Sequence, residues 1–382
     1  MDFTYPPEAE AFRAEFRAWL GEHLTDEFRG EGIGFSMEMD PDRLAAMRRW
    51  NRLLADARFA AISWPEEYGG RGAGTMEQVV FAEEMHRSGA PGTLNPLGLS
   101  NIAPAIIEFG TDDQRATFLP RMLRGDDIWC QGFSEPDAGS DLASLQCRAV
   151  IDGDHFVING QKTWNTLGHL ANWCELLVRT DPEQPKHRGI SCLLVDMTLP
   201  GVEVRPLVTI TGEKEFNEIF FTDVRVPVSS LLGPLHDGWR VAMTTLAYER
   251  GTVANLHLGL RAKIRRLIDD AAAVGALEDP VKRQALAALY LEGELLKLVS
   301  DRAISGAIHG RAMGPEGSIA KLVWSEAEQH VGEVAGQVLG PDANTGFWGR
   351  DRVYMRALTI AGGTTQVNKN ILAQRILGLP RS

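Results

Sequence analysis

Several features that mark widespread protein classes are missing from this 382-residue sequence. No run of about 18 apolar residues occurs, so no membrane-spanning helix is predicted. The N-terminal stretch is acidic and polar and does not resemble a signal peptide. Four cysteines lie far apart without a CxxC spacing. Free thiols in a cytoplasmic protein are therefore the simplest expectation.

The sequence also lacks the short motifs of several enzyme classes. It contains no GxGxxG dinucleotide fingerprint, no GxxxxGK[ST] phosphate loop, no GxSxG elbow and no HExxH. Its nine histidines show no metal-ligand spacing, so no metal site is predicted. A net charge of −12 argues against a nucleic-acid-binding surface.

Two changes of composition along the chain predict its organisation. Up to about residue 125 the apolar residues recur at helical spacing, and from about 128 to 232 short β-type runs follow one another. Beyond Pro234 the pattern is helical again, with segments near 238–272, 280–309 and 316–339 and a last one from about 366. We therefore predict three domains, at 1–125, 126–232 and 233–382.

Local signals place the ends of several elements. Asp40-Pro41 is an N-cap followed by proline at the first helical position. Both Thr75-x-x-Gln78 and Thr111-x-x-Gln114 have the pattern of a capping box. Asp152-Gly153-Asp154 separates two β-type runs and predicts a hairpin, and Asn159-Gly160 predicts a second tight turn.

Four sequence blocks, in order, resemble the acyl-CoA dehydrogenase family over essentially the whole chain. They are GFSEPDAGSD (132–141), DGDHFVINGQKTW (152–164), FFTDVRVP (220–227) and IAGGTTQVNKNILAQRILGLPR (360–381). The resemblance implies an α+β fold with an N-terminal helical domain, a small middle β-barrel or sandwich and a C-terminal four-helix bundle. Each block alone is weak evidence, whereas the ordered set is specific.

The resemblance also implies a reaction, which is FAD-dependent α,β-desaturation of an acyl-CoA thioester. The electrons would pass to an electron-transfer flavoprotein, and the assembly would be a homotetramer or a heterotetramer with a homologous subunit. No nucleic acid or membrane is expected as a partner. The chemistry requires a carboxylate that removes the α-proton and hydrogen-bond donors at the thioester carbonyl, where negative charge develops.

Positions that match the family's flavin contacts can be carried over. Those expected to bind FAD are Gln131, Phe133, Ser134, Ser140, Trp164, Thr166, Gln337, Gly340, Thr364 and Gln366. Ser134 and Thr166 would hydrogen-bond near the flavin ring, Trp164 would pack on it, and Ser140 would also reach the CoA substrate. Gln337 and Gly340 belong to a QVLGP loop that matches a segment covering the flavin of a neighbouring subunit.

The first departure from the family concerns the catalytic base. The widespread motif places a glutamate where this sequence has Gly362. A subgroup that includes isovaleryl-type enzymes takes its base from the first helix of the bundle, and Glu249 stands at that alternative position. Glu249 is therefore the predicted base, with Arg250 beside it at the substrate. Gly362 keeps its backbone N–H, which is the predicted donor to the thioester carbonyl.

The second departure concerns the flavin pyrophosphate. Residues 271–281 read AAAVGALEDPV and lack the family's Arg-x-x-Phe-Gly segment, whose arginine binds a neighbour's FAD. Pro341 also stands where a second glycine is common, so a backbone donor is lost there.

These departures leave the substrate and the assembly open. A bulky or branched acyl-CoA is expected, with a steroid side chain among the candidates. The alternatives are a non-catalytic or half-site subunit of a heteromeric dehydrogenase, and a flavin hydroxylase on the same fold.

Overall fold

The computed structural model describes residues 4–29, 40–251, 255–309 and 316–380, without the side chains of residues 249–251 and 316. The chain forms two compact units. One unit consists of Met1–Gly21, Gly74–Ala90 and Arg250–Ser382, and the other of Glu22–Ala73 and Pro91–Glu249. The first unit is helical, and the second combines helices with all of the described strands.

The described part of the second unit contains eight strands: β1 (Trp129–Gly132), β2 (Arg148–Asp152), β3 (His155–Lys162), β4 (Trp173–Arg179), β5 (Ile190–Asp196), β6 (Val202–Leu207), β7 (Phe216–Pro227) and β8 (Leu231–Leu232). Their order is β6-β7-β3-β2-β4-β5-β8, and β1 pairs with β4. Strands β2 and β4 meet only at Arg148 and Arg179. Side chains from the strands on either side of this junction share one buried core, which includes Phe156, Leu176 and Ile219. This arrangement agrees with the predicted small β domain.

The first predicted hairpin is confirmed, because Asp152 pairs with His155 and Gly153 in the turn adopts a φ of 64°. The second predicted turn, at Asn159-Gly160, is wrong. Strand β3 continues to Lys162, since β7 pairs with it on both sides of a register shift at this position. Gly160 is required there for close approach, because a Cβ would lie 2.7 Å from the Cα of Cys147.

The helices are α1 (Pro7–His23), α2 (Pro41–Asp56), α3 (Thr75–Ser88), α4 (Ala103–Phe109), α5 (Asp112–Arg124), α6 (Gly238–Gly251), α7 (Leu256–Ala273), α8 (Pro280–Ile308), α9 (Glu316–Leu339), α10 (Gly346–Tyr354) and α11 (Thr365–Ile371). The sequence predicts one helix over 238–272, whereas the structure has two helices there, α6 and α7. Residues 252–254 lie outside the described part. Of the described helices, none has the length and apolarity that a membrane crossing needs.

Helix starts follow their capping signals in two of three cases. The Asp40 side chain accepts a hydrogen bond from the Arg43 N–H, and Thr111 forms the predicted capping box with Gln114. The box predicted at Thr75 is wrong by one residue. Gly74 is the N-cap, and the Glu77 carboxylate accepts its N–H at 2.7 Å. The side chain at N3 alone therefore caps the backbone of this helix start.

The helices of the first unit bury one apolar core that α7, α8, α9 and α10 share. Leu267, Leu289 and Val331 are fully buried members of it. Helix α11 packs on α9. In the second unit, α6 begins against β5, where a Cβ on Gly238 would come within 2.4 Å of the Ser191 backbone. Glycine therefore allows this helix to start directly on the sheet.

Candidate active site

The segment that follows β1 is held by a buried ion pair. The Lys162 ammonium donates to the carbonyl of Phe133 at 3.0 Å and to the Glu135 carboxylate at 2.8 Å, and the lysine is 0% exposed. The same carboxylate accepts the backbone N–H groups of Gln146 and Cys147. Ser134, which is half-buried, therefore lies between two residues that a single buried lysine fixes.

Trp164 adopts an unusual backbone conformation beside this segment. Its φ is 62°, and its side chain is 62% exposed with the ring edge-on to Phe216. The flanking backbone is pinned, because Thr163 N–H donates to Ser134 O and Asn165 N–H donates to Asn217 O. A bulky residue at positive φ is strained and persists only where its surroundings impose it. In this conformation the indole of Trp164 is exposed at the surface of the β part.

Asn165 ties the tryptophan segment to strand β1. It is buried, and its amide donates to the Gln131 carbonyl at 2.6 Å. The Asn217 amide in turn donates to the Asn165 carbonyl at 2.8 Å. Gln131, Ser134 and Trp164 therefore lie close together, and half-buried Thr166 follows two residues after Trp164.

A buried carboxyl group lies on the strand next to Gln131. Glu175 on β4 is the register partner of Gln131 on β1 and is 0% exposed. Burial raises the pKa of Glu175 to about 8, so its carboxyl group is mostly protonated at pH 7. The Thr245 hydroxyl of α6 donates to one of its oxygens at 2.7 Å.

Helix α6 carries the predicted base. Glu249 lies one helical turn after Thr245, and Arg250 follows it. The side chains of Glu249 and Arg250 lie outside the described residues. The structure therefore places the backbone of both positions at the C-terminal end of a helix that is anchored to the sheet at Thr245.

In the helical unit, the predicted donor loop has a defined geometry of its own. Gly362 and Gly363 have φ values of 64° and 87°, which glycine adopts without strain. The Gly363 carbonyl accepts hydrogen bonds from Lys321 Nζ and Asn368 Nδ2, both at 2.8 Å. Thr364 caps α11 through its hydroxyl, which accepts the Val367 N–H at 3.1 Å. Gly362 and the hydrogen-bonded Gly363 therefore precede the helix that carries exposed Gln366.

The QVLGP loop borders an open depression of about 510 Å³. Gln337, Gly340, Pro341 and Arg352 are among the residues that line it. The Arg352 guanidinium donates to the side-chain oxygen of Asn344 at 2.7 Å. Because asparagine is neutral, this contact does not neutralise the arginine's charge. Among the described residues, the depression is lined by one cation, Arg352, and one carboxylate, Glu333, whereas the loop between α7 and α8 has no arginine.

Ser140 lies apart from these contacts. It is exposed in the turn between the Glu135–Ala138 bridge and Leu142–Ser144. All four cysteines are buried and free, as expected.

Family models match almost the entire chain. The N-terminal, middle and C-terminal domain models of acyl-CoA dehydrogenases match residues 6–126, 130–224 and 236–377. The chain belongs to the acyl-CoA dehydrogenase family. The resemblance that the four sequence blocks indicated is thereby confirmed, and so are the α+β fold and an oxidoreductase activity of the flavin-dependent acyl-CoA dehydrogenase class.

Individual relatives cover the chain from end to end. Acyl-CoA dehydrogenase IpdE1 of Mycobacterium tuberculosis is 40% identical over 384 residues, which are 98% of each chain. A solved structure described as the Tcur3481-Tcur3483 steroid ACAD matches with a TM-score of 0.87 and 31% identity over 100% of both chains. The ChsE4-ChsE5 complex from Mycobacterium tuberculosis matches with a TM-score of 0.82 and 32% identity, also over 100% of both chains.

Sequence reasoning missed three residues of this acyl-CoA dehydrogenase that support the site. Glu135 and Lys162 stand inside two of the four blocks that resemble the family, and their position in these blocks could have indicated a role for them. Glu175 stands in an apolar strand, WCELLVR, where a lone acidic residue was the signal. Each was overlooked because its partner is distant in sequence.

Proposed function

We propose that this acyl-CoA dehydrogenase desaturates an acyl-CoA thioester with FAD as cofactor and Glu249 as the base. The observation that carries the proposal is the Trp164 conformation, an exposed indole at positive φ pinned beside Ser134. Backbone strain of this kind clusters at ligand sites. Within a family of flavin enzymes, a planar ring that packs on the indole is the fitting ligand.

The residues around Trp164 fit the ring side of a flavin. Ser134 and Thr166 supply hydroxyl groups, and Gln131 and Phe133 supply backbone alongside. When bound, FAD would accept the β-hydrogen of the substrate as hydride. In the helical unit, the residues proposed to contact the remainder of a flavin are Thr364, Gln366, Gln337 and Gly340. Gly340 adopts a positive φ, which glycine does without strain.

Proton removal is assigned to helix α6. The Glu249 carboxylate takes the α-proton, and the Gly362 N–H donates to the thioester carbonyl as charge develops on it. A glycine at 362 cannot serve as the base itself. Ser140 and Arg250 are proposed to contact the acyl-CoA.

A bulky or branched acyl chain is the proposed substrate, and a steroid side chain is the leading candidate. Two observations support it. Gly362 carries no side chain where the widespread family motif has a glutamate, and one of the similar solved structures is described as a steroid ACAD.

A heteromeric assembly is proposed on similar grounds. The α7–α8 loop offers no arginine for a neighbour's pyrophosphate, and two similar structures are described as pairs of different chains. The proposed electron acceptor is an electron-transfer flavoprotein. The half-site alternative is favoured by the same loop, since such a chain would hold flavin well on one side only.

The visible spectrum of the purified protein tests the cofactor, first alone and then co-expressed with a homologous subunit. Anaerobic addition of isovaleryl-CoA, octanoyl-CoA and a steroid side-chain CoA tests the reaction, because substrate oxidation bleaches the flavin band. Bleaching with formation of enoyl-CoA supports the proposal. A protein that consumes oxygen with reduced flavin and forms no enoyl-CoA would instead be a hydroxylase.

A further inference from the structure

Two buried polar atoms face the same junction without a partner. Gln131 Nε2 and Glu175 Oε2 are both inaccessible to solvent, and neither makes a hydrogen bond to any described residue. Their residues are register partners on the adjacent parallel strands β1 and β4. Buried unpaired polar atoms are costly, so a native structure that retains two of them side by side calls for an explanation.

Protonation of Glu175 provides a partner for Oε2. A protonated carboxyl group turns Oε2 into a donor, and rotation of the Gln131 amide presents its oxygen as the acceptor. The other carboxyl oxygen still accepts the Thr245 hydroxyl at 2.7 Å. The neutral acid can therefore connect β1 on one side with α6 on the other.

The surroundings of Glu175 favour this neutral form. Burial is the largest influence on its pKa, which it raises to about 8, and the hydrogen bond from Thr245 is the largest influence in the opposite direction. The titratable neighbours are thiols. Cys192 on β5 lies 4.0 Å from the carboxyl group, and Cys174 precedes Glu175 on its own strand. Burial raises the pKa of both thiols well above the usual value, so they too are neutral.

We propose that Glu175 is a positioning residue of the dehydrogenase, whose buried carboxyl group fixes α6 through Thr245 and the flavin-side strand β1 through Gln131. Glu249 follows Thr245 by one helical turn, and Ser134 follows Gln131 by three residues. One buried group thus aligns the two elements that carry the proposed base and the proposed flavin contacts. This inference rests on the proposed function for its role in catalysis.

Ionisation of Glu175 would place an uncompensated negative charge in the buried junction between β1 and α6, which is costly. The folded state holds the proton up to a pH of about 8, whereas an unfolded glutamate loses it near 4.5. The folded form therefore binds more protons between these values, and the free energy of unfolding decreases as pH rises through this window. The change approaches tenfold in the folding equilibrium constant per pH unit.

Glu175→Gln separates ionisation from hydrogen bonding. Glutamine has the shape of the protonated acid, accepts from Thr245 and donates to the Gln131 amide oxygen, but it cannot ionise. Thr245→Val removes the donor on α6. Thr244→Val is the matched control, since this neighbouring hydroxyl lies 3.5 Å from Glu108 and away from Glu175.

Two readouts require no acyl-CoA. They are urea unfolding of the chain from pH 5 to 9 and titration with FAD at pH 7 and pH 9. The wild type should lose stability as pH rises to 8 and bind FAD at least tenfold more weakly at pH 9, while Glu175→Gln should lose this dependence in both. Superimposable pH profiles for the two proteins would overturn the inference.

Turnover of whichever acyl-CoA bleaches the flavin provides the third readout. Thr245→Val should lower kcat about tenfold with KM within twofold, whereas Thr244→Val and Glu175→Gln should keep both near wild type at pH 7. Equal kcat for the two threonine variants would also overturn the inference. If no acyl-CoA bleaches the flavin, the proposed function fails, and the unfolding and FAD profiles still decide the role of Glu175.

Discussion

The ammonium of Lys162 lies 2.8 Å from the carboxylate of Glu135, and both side chains are buried. The ion pair connects the end of β3 with the segment that holds Ser134. Its carboxylate also accepts two backbone N–H groups, so the pair fixes three stretches of chain. The segment of the proposed flavin site around Ser134 is therefore held by a buried charge pair.

Lys162→Met is expected to lower the free energy of unfolding by about 3–5 kcal/mol, because it leaves the Glu135 carboxylate buried without a cation. Urea unfolding monitored by tryptophan fluorescence measures the change. The double variant Lys162→Met/Glu135→Leu should recover part of the loss, since it removes the uncompensated charge.

Lys186→Met is the matched control. Lys186 pairs with Asp141 at 2.7 Å, but both side chains are about half exposed. Water screens such a pair, so the loss should stay below about 1 kcal/mol. Equal losses at positions 162 and 186 would contradict the importance assigned to the buried pair.

Trp164→Gly is expected to affect stability and cofactor binding differently. Glycine adopts a φ of 62° without strain, which offsets its greater freedom in the unfolded chain, so stability should change by no more than about 1 kcal/mol. Loss of the indole face should weaken FAD binding about tenfold. Parallel unfolding and FAD titrations check both expectations.

Trp164→Phe is the companion variant, because it keeps an aromatic face at the same backbone position. Its FAD affinity should lie between those of the wild type and the glycine variant. A glycine variant that binds FAD as tightly as the wild type would remove Trp164 from the flavin site.

Glu249→Gln is expected to lower kcat by about 10²–10⁴-fold, because an amide cannot accept the α-proton. FAD affinity should change little. Glu108→Gln is the control, since Glu108 is an exposed carboxylate that also approaches α6. A near-wild-type rate for Glu249→Gln with its best acyl-CoA would refute the base assignment.

Returning the base to its more common position is the converse experiment. Gly362→Glu combined with Glu249→Gly is expected to give partial activity, and only on straight-chain acyl-CoAs, because the pocket is not shaped around a glutamate at 362. Steady-state rates on octanoyl-CoA and isovaleryl-CoA measure it. Full activity on both substrates would show that the position of the base does not select the acyl chain.

FAD affinity of the lone chain is expected to be weak or half-stoichiometric. A pyrophosphate without an arginine partner loses about 1.5–3 kcal/mol, or one to two decades in affinity. Calorimetric titration of the lone chain, repeated after co-expression with an arginine-bearing homologue, measures the difference. Sub-micromolar binding at one FAD per chain in a homotetramer would exclude the heteromeric model.

Arg283 is another candidate for the missing arginine, because its guanidinium donates to the neutral Leu277 carbonyl at 2.7 Å, a contact that does not neutralise its charge. Arg352 lines the depression that also contains Gln337, a predicted flavin contact. If the lone chain does bind FAD tightly, Arg352→Met should weaken that binding more than Arg283→Met does.

The sequence alone determined those features that depend on neighbours a few residues apart. The N-cap at Asp40, the capping box at Thr111 and the hairpin at Gly153 are local hydrogen-bond and φ preferences. The ordered family blocks likewise indicated the fold and the enzyme class, because they are contiguous stretches that the sequence displays directly.

Tertiary structure decided what depends on distant partners. Asn159-Gly160 has a turn signal, yet pairing with β7 keeps it within a strand. Lys162 meets Glu135 across 27 positions, and Glu175 meets Thr245 across 70. Strand register and helix docking set these distances, and a local sequence pattern gives no information about either. The residues that hold the site in place are therefore the ones that only the folded chain identifies.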